Sequence, residues 1–99
     1  MKYYAVAILS ITDYKQFRAE FDSAGPKLQK WGFTRTWLNR DADNPNRLIA
    51  VHECGNLAKA REFYTSPDYK QCLTKAGVIG EPEVMFMEEL VATPELVGV

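Results

Sequence analysis

Hydrophobic positions along this chain follow two patterns. Tyr3 to Ile11 and Leu48 to Val51 are apolar almost throughout, as in strands covered on both faces. Elsewhere apolar residues recur at spacings of three and four, as on helices with one buried stripe. A chain of 99 residues supplies helices for only one face of a small sheet. The other face then needs a partner, most simply a second copy of the same chain, so a homodimer is expected.

The first strand, Lys2 to Ile11, ends at Thr12-Asp13, either of which can cap a helix by accepting a backbone N–H bond. The following helix places Tyr14, Phe17, Phe21, Ala24, Leu28 and Trp31 on one stripe. Gly25-Pro26 falls inside that stripe and predicts a kink, after which the helix resumes until Gly32 stops it. Phe33 to Arg40 and Arg47 to Glu53 read as a hairpin around the polar loop Asp41 to Asn46. A second helical region carries Leu57, Ala60, Phe63 and Tyr64 on one face and breaks at Ser66-Pro67. It resumes from Pro67 to Ala76, with Gly77 as its stop. A fourth strand, Glu83 to Leu90, follows Pro82, and an apolar tail runs from Val91 to Val99.

The order βαββαβ, in a single domain over residues 1–99, predicts an α+β, ferredoxin-like fold. Its antiparallel sheet has order 4-1-3-2, with both helical regions on one face. Charge adds little: twelve Lys and Arg oppose thirteen Asp and Glu, for a net charge of −1. Without a basic excess or stripe, nucleic acid is not an expected partner. No apolar run approaches the ~20 residues a membrane helix needs. The amino end enters a strand without a signal-peptide core, so a cytoplasmic protein is expected. Cys54 and Cys72 form no CxxC pair and read as buried free thiols. One histidine and two separated cysteines do not make a zinc site, and no glycine-rich phosphate loop follows a strand. No metal or cofactor is expected.

The segment Phe63-Tyr64-Thr65-Ser66-Pro67-Asp68-Tyr69, followed by Ala76-Gly77-Val78 and Pro82, resembles the helix-break-helix and final-strand entry of the dimeric α+β barrel superfamily. That group includes antibiotic-biosynthesis-type monooxygenases and cyclase-like proteins, and the resemblance spans Lys2 to Leu90. It implies a dimeric α+β barrel. For activity it implies cofactor-independent oxygenation, cyclisation or isomerisation through an enolate or phenolate. Haem-degrading members carry Asn on the first strand and His on the second helix. Here the first strand opens with Tyr3, Tyr4 and Ala5, and the second helical region has no histidine, so haem is not expected.

Chemistry, if present, centres on the second and third strands. The simplest hairpin register pairs Arg40 with Arg47, and so sets Arg35 opposite His52 and Trp37 opposite Ala50, all on one face with Phe33, Asn39, Leu48 and Cys54. The small residues Ala5, Ala7 and Ala50 would leave the floor of a pocket, walled by Trp37, Tyr64, Tyr69 and Phe86. The alternative is that the alanines only let the helices pack closely. Val6, Ile8, Leu38, Ile49 and Val51 would line the dimer interface. His52, the sole histidine, suits proton transfer. Arg35 opposite it would clamp an oxyanion and lower the His52 pKa by charge repulsion. Its structural alternative is an ion pair with Glu53, Asp68 or another surface carboxylate.

Two functions remain open from these residues. One is an enzyme acting on an aromatic or polyketide-like compound, with His52 and Arg35 as the catalytic pair and Trp37, Tyr64, Tyr69, Ala50, Ala5 and Phe86 holding the substrate. The other is a non-catalytic protein of the same fold that binds a hydrophobic ligand or serves as a stress-associated interaction partner. Fold analogy does not choose between them.

Overall fold

Local capping chemistry sets the helix boundaries. In the computed structural model, which describes residues 2–91, strand β1 (Tyr3–Ile11) is followed by helix α1 (Tyr14–Ser23). Asp13 caps α1, its carboxylate accepting the backbone N–H groups of Lys15 and Gln16. The expected break occurs at Ala24, and α2 (Gly25–Lys30) restarts with Pro26 in its first turn, where a missing N–H costs nothing. Strands β2 (Phe33–Arg40) and β3 (Arg47–Cys54) follow. Helix α3 (Leu57–Phe63) is capped by Asn56, and α4 (Pro67–Ala76) by Ser66. Gly77 closes α4 at φ 71°, a left-handed conformation that favours glycine.

Strand β4 (Val78–Glu88) departs from expectation by beginning directly after Gly77 instead of beyond Pro82. It lies at a sheet edge, where a proline can be accommodated, and a register shift between Ile8 and Ser10 absorbs its surplus residues. Beyond Val91, the expected apolar tail lies outside the described residues.

The sheet has the order β2-β3-β1-β4, which is 4-1-3-2 read from the other edge, and every pairing is antiparallel. The fold is ferredoxin-like α+β. Burial alternates along β3: Leu48, Ala50, His52 and Cys54 are buried beneath the helices, while Ile49, Val51 and Glu53 on the other face are only partly covered. Two adjoining clusters fill the helix side. Phe33, Cys54, Ala60 and Phe63 anchor one, and Leu9, Phe17, Leu48 and Ala76 the other.

The hairpin register differs from the simplest one by a single residue. Arg40 pairs with Leu48, Trp37 with Val51, Thr36 with His52 and Arg35 with Glu53. Asp41 causes the shift: its backbone N–H bonds to the Arg47 carbonyl (2.9 Å), and its carboxylate accepts from the Arg47 guanidinium (3.0 Å). The ladder is thereby extended by one pair. A one-residue slip turns each side chain to the opposite face. Arg35, Trp37 and Asn39 therefore lie on the outer face, and Leu38, expected there, packs into the helix-side core. A bulge between Phe33 and Arg35 restores Phe33 to the inner face opposite Cys54.

Candidate active site

Adjacent small residues open a space under the helices. Ala7 on β1 stands directly opposite Ala50 on β3, and Ala5 opposite His52, so the centre of the sheet carries methyl groups where its neighbours carry Leu9 and Leu48. The helices bridge this hollow. A cavity of about 70 Å³ remains, floored by Ala7, Ala50 and His52 and roofed by Phe17, Phe21, Ala24 and Leu28 from the first helical pair and by Tyr69, Cys72 and Leu73 from α4. Phe63 and Tyr64 close one side, and Glu20 is the carboxylate in its lining. The volume holds about two waters.

Aromatic side chains build one wall. The rings of Tyr64 and Tyr69 lie 4.8 Å apart, edge to face, and Phe63 approaches each within 5.3 Å. The hydroxyls of Tyr64 and Tyr69 are buried without a hydrogen-bond partner among the described residues. Burial raises both phenol pKa values, that of Tyr69 to about 12, so both stay protonated at neutral pH. Unpartnered buried hydroxyls are uncommon in native proteins. These two could each donate to an oxygen atom of a cavity occupant.

His52 is 6% exposed and sits between the rings of Phe33 (5.2 Å) and Phe21 (6.5 Å). Its Nδ1 lies 2.7 Å from the Thr36 hydroxyl oxygen. The pKa is lowered to about 4 by desolvation. The expected direction is present, but its cause is burial and not the Arg35 charge. Arg35 lies across the sheet, its guanidinium 4.9 Å from the Trp37 ring centre, and Trp37 in turn lies 6.0 Å from Tyr4 on the outer face. Neither residue reaches His52 or the cavity. The ion pair considered for Arg35 is also not formed among the described residues.

The remaining expected site residues divide by position. Ala50, Tyr64 and Tyr69 line the cavity with His52, whereas Ala5 and Phe86 lie in the core behind it. Phe86 still touches the aromatic wall, 5.8 Å from Tyr64. Residues not expected at the site from the sequence are Thr36, Phe21, Cys72 and Glu20. The stripe of the first helix already pointed to Phe21, but Thr36 becomes legible only once the hairpin register is known. Both thiols are free; Cys54 is buried, whereas Cys72, expected to be buried, is only partly so and lies 3.9 Å from the Lys27 amine. Burial raises both thiol pKa values. Among the described residues, no three His, Cys, Asp or Glu side chains converge as a metal site, and no helix is long and apolar enough to cross a membrane.

Solved structures share this architecture. A provisionally named antibiotic biosynthesis monooxygenase from Bordetella bronchiseptica superposes with a TM-score of 0.78 at 17% identity, over 91% of this chain and 98% of that one. A mutant form of SnoaB, a cofactor-independent oxygenase from Streptomyces nogalater, gives 0.73 at 17% identity, over 95% and 98%. A conserved protein from Methanosarcina mazei gives 0.70 at 15% identity, over 91% and 94%. The chain thus has the antibiotic-biosynthesis-monooxygenase fold. No family model and no curated protein matches the sequence.

Proposed function

We propose that this protein is a homodimeric barrel that binds a neutral, largely aromatic ketone or phenol in the cavity and transfers a proton from it through His52. The observation that carries this reading is an apolar cavity lined by one buried imidazole, whose pKa burial lowers, and by two unpartnered tyrosine hydroxyls. Tyr64 and Tyr69 would donate to the ligand oxygen while His52 Nε2 removes an adjacent proton, leaving an enolate or phenolate. SnoaB is a cofactor-independent oxygenase with the same fold. By that analogy the carbanion's electron pair would form a C–O bond to dioxygen and the peroxide would take up one proton; breaking of the O–O bond with loss of the carbon's remaining hydrogen would then release water and leave a new carbonyl. Arg35 and Trp37 lie outside this scheme. Support for the homodimer comes from the outer face, where Trp37, Met85 and Met87 are 37%, 50% and 41% exposed beside Val6, Ile49 and Val51.

The test uses 2-tetralone, a bicyclic ketone with acidic C–H bonds next to its carbonyl. Proton NMR in D2O should show saturable, protein-catalysed deuteration that His52→Gln abolishes and Tyr64→Phe weakens. Saturable binding without deuteration would favour the non-catalytic ligand carrier, and absence of both would overturn the cavity as a site. A cytoplasmic location is consistent with the composition and forms part of the same proposal.

A further inference from the structure

One hydrogen bond links the cavity lining to the exposed edge of the sheet. Thr36 lies on the edge strand β2 and is exposed, while its partner His52 is buried. On the exposed side of that bond is a second depression, lined by Gly25, Leu28, Gln29, Phe33, Thr34, Arg35 and Thr36. Leu28 lines both this depression and the inner cavity. His52 therefore sits in the partition, with Nδ1 taken by the Thr36 hydroxyl 2.7 Å away. The ring atom left for a cavity occupant is Nε2.

We propose that Thr36 is a positioning and proton-relay residue: its hydroxyl holds His52 in the Nδ1–H tautomer, presents Nε2 to the cavity as the base, and passes the ring's proton out to water. The proposal rests on the reading of the cavity as an active site. Without an outlet, a buried imidazole that accepts a proton must become a desolvated imidazolium, which is costly in a site walled by Phe21 and Phe33. With the outlet, the proton from the ligand bonds to Nε2 as the Nδ1 proton moves to the Thr36 oxygen and the hydroxyl's own proton leaves to solvent. The ring remains neutral throughout, and one proton has travelled from cavity to water. Reversal of the same three transfers returns the proton to the ligand and restores the starting tautomer. The other titratable groups lining the cavity are Glu20 on α1, Tyr64 at the end of α3, and Tyr69 and Cys72 on α4. None of them hydrogen-bonds to His52 among the described residues.

The experiment compares wild type with Thr36→Val, which keeps the shape and removes the hydroxyl, and with Thr36→Ser, which keeps the hydroxyl. Nitrogen-15 NMR of the single histidine at pH 7.5 needs no ligand. It should report the Nδ1–H tautomer in wild type and the serine variant, and a shift toward Nε2–H in the valine variant. With 2-tetralone, Thr36→Val should lower kcat for deuteration by about tenfold at unchanged KM, and Thr36→Ser should restore it. An Nε2–H tautomer in wild type, or a tautomer unaffected by Thr36→Val, would overturn the relay. Wild type that deuterates no 2-tetralone would strike the proposed enzymatic function, while the tautomer measurement still decides whether Thr36 sets the ring.

Discussion

The two faces of strand β3 solve opposite problems with alternate residues. Inward, Leu48, Ala50, His52 and Cys54 are each at least nine-tenths buried, yet the small side chains leave a void between sheet and helices. Outward, Ile49, Val51 and Glu53 stand beside Val6 and Trp37 in a layer that no helix among the described residues covers. The inner face spends stability on a hole, since an unfilled apolar cavity forfeits dispersion contacts. The outer face holds stability in reserve, released only when something covers it. In the proposed function, this difference gives ligand handling to one face and association to the other.

The largest effect should come from the outer face. Val51→Asp should dissociate the dimer or unfold the chain, because an unpaired carboxylate buried at an interface costs several kcal/mol. Sedimentation and thermal melting check this, and an unchanged mass and Tm would remove the assigned role of the outer face. Next comes His52. Its folded pKa of about 4 lies below the unfolded value of 6.5, so the unfolded chain binds the extra proton first. Stability is fully present above pH 6.5 and is lost as pH falls from there to about 4, by on the order of 3 kcal/mol. Denaturant unfolding of wild type and His52→Gln across that window measures the term. An NMR titration of Arg35→Gln should give an unchanged histidine midpoint, because the sheet separates the two side chains. A raised midpoint would put them on one face.

Ala50→Leu sharpens the comparison from inside. The added atoms should enter the cavity and cost under about 1 kcal/mol while abolishing ligand binding. Overpacking of a filled core would instead cost roughly 1–3 kcal/mol. The smallest effect belongs to Tyr64→Phe. Removing a buried hydroxyl that has no partner should change stability by only a few tenths of a kcal/mol, in either direction. A loss above about 1.5 kcal/mol would mean that the hydroxyl is satisfied, by water or by the protein.

Legibility in the sequence followed the range of the forces involved. Asp13, Asn56, Ser66 and Gly77 act within one helical turn, so their identities locate the ends of α1, α3 and α4 without reference to the rest of the fold. Parity along β3 is also local, because one face must be buried, and it keeps Ala50 and His52 together on one face. The pairing of β2 with β3 is different. It turns on whether Asp41 belongs to the loop or to the ladder, and its bonds to Arg47 decide for the ladder. Composition does not reveal that choice, so Arg35 and Trp37 were expected on the wrong face and Thr36 went unseen. The void itself arises from three elements failing to meet, which no single stretch of sequence encodes.

Pro82 carries a consequence for assembly. A sheet edge is a row of unpaired amides and carbonyls ready to recruit another strand, and repeated recruitment gives open-ended fibres. Along β4 that row is interrupted by a residue with no amide to donate, flanked by Glu81 and Glu83. At the opposite edge β2 is bent by its bulge and carries Arg35 and Arg40. Both borders of the sheet thus resist side-by-side growth while its broad apolar surface remains available. In the proposed homodimer two copies meet front to front, and an association of that geometry ends with two.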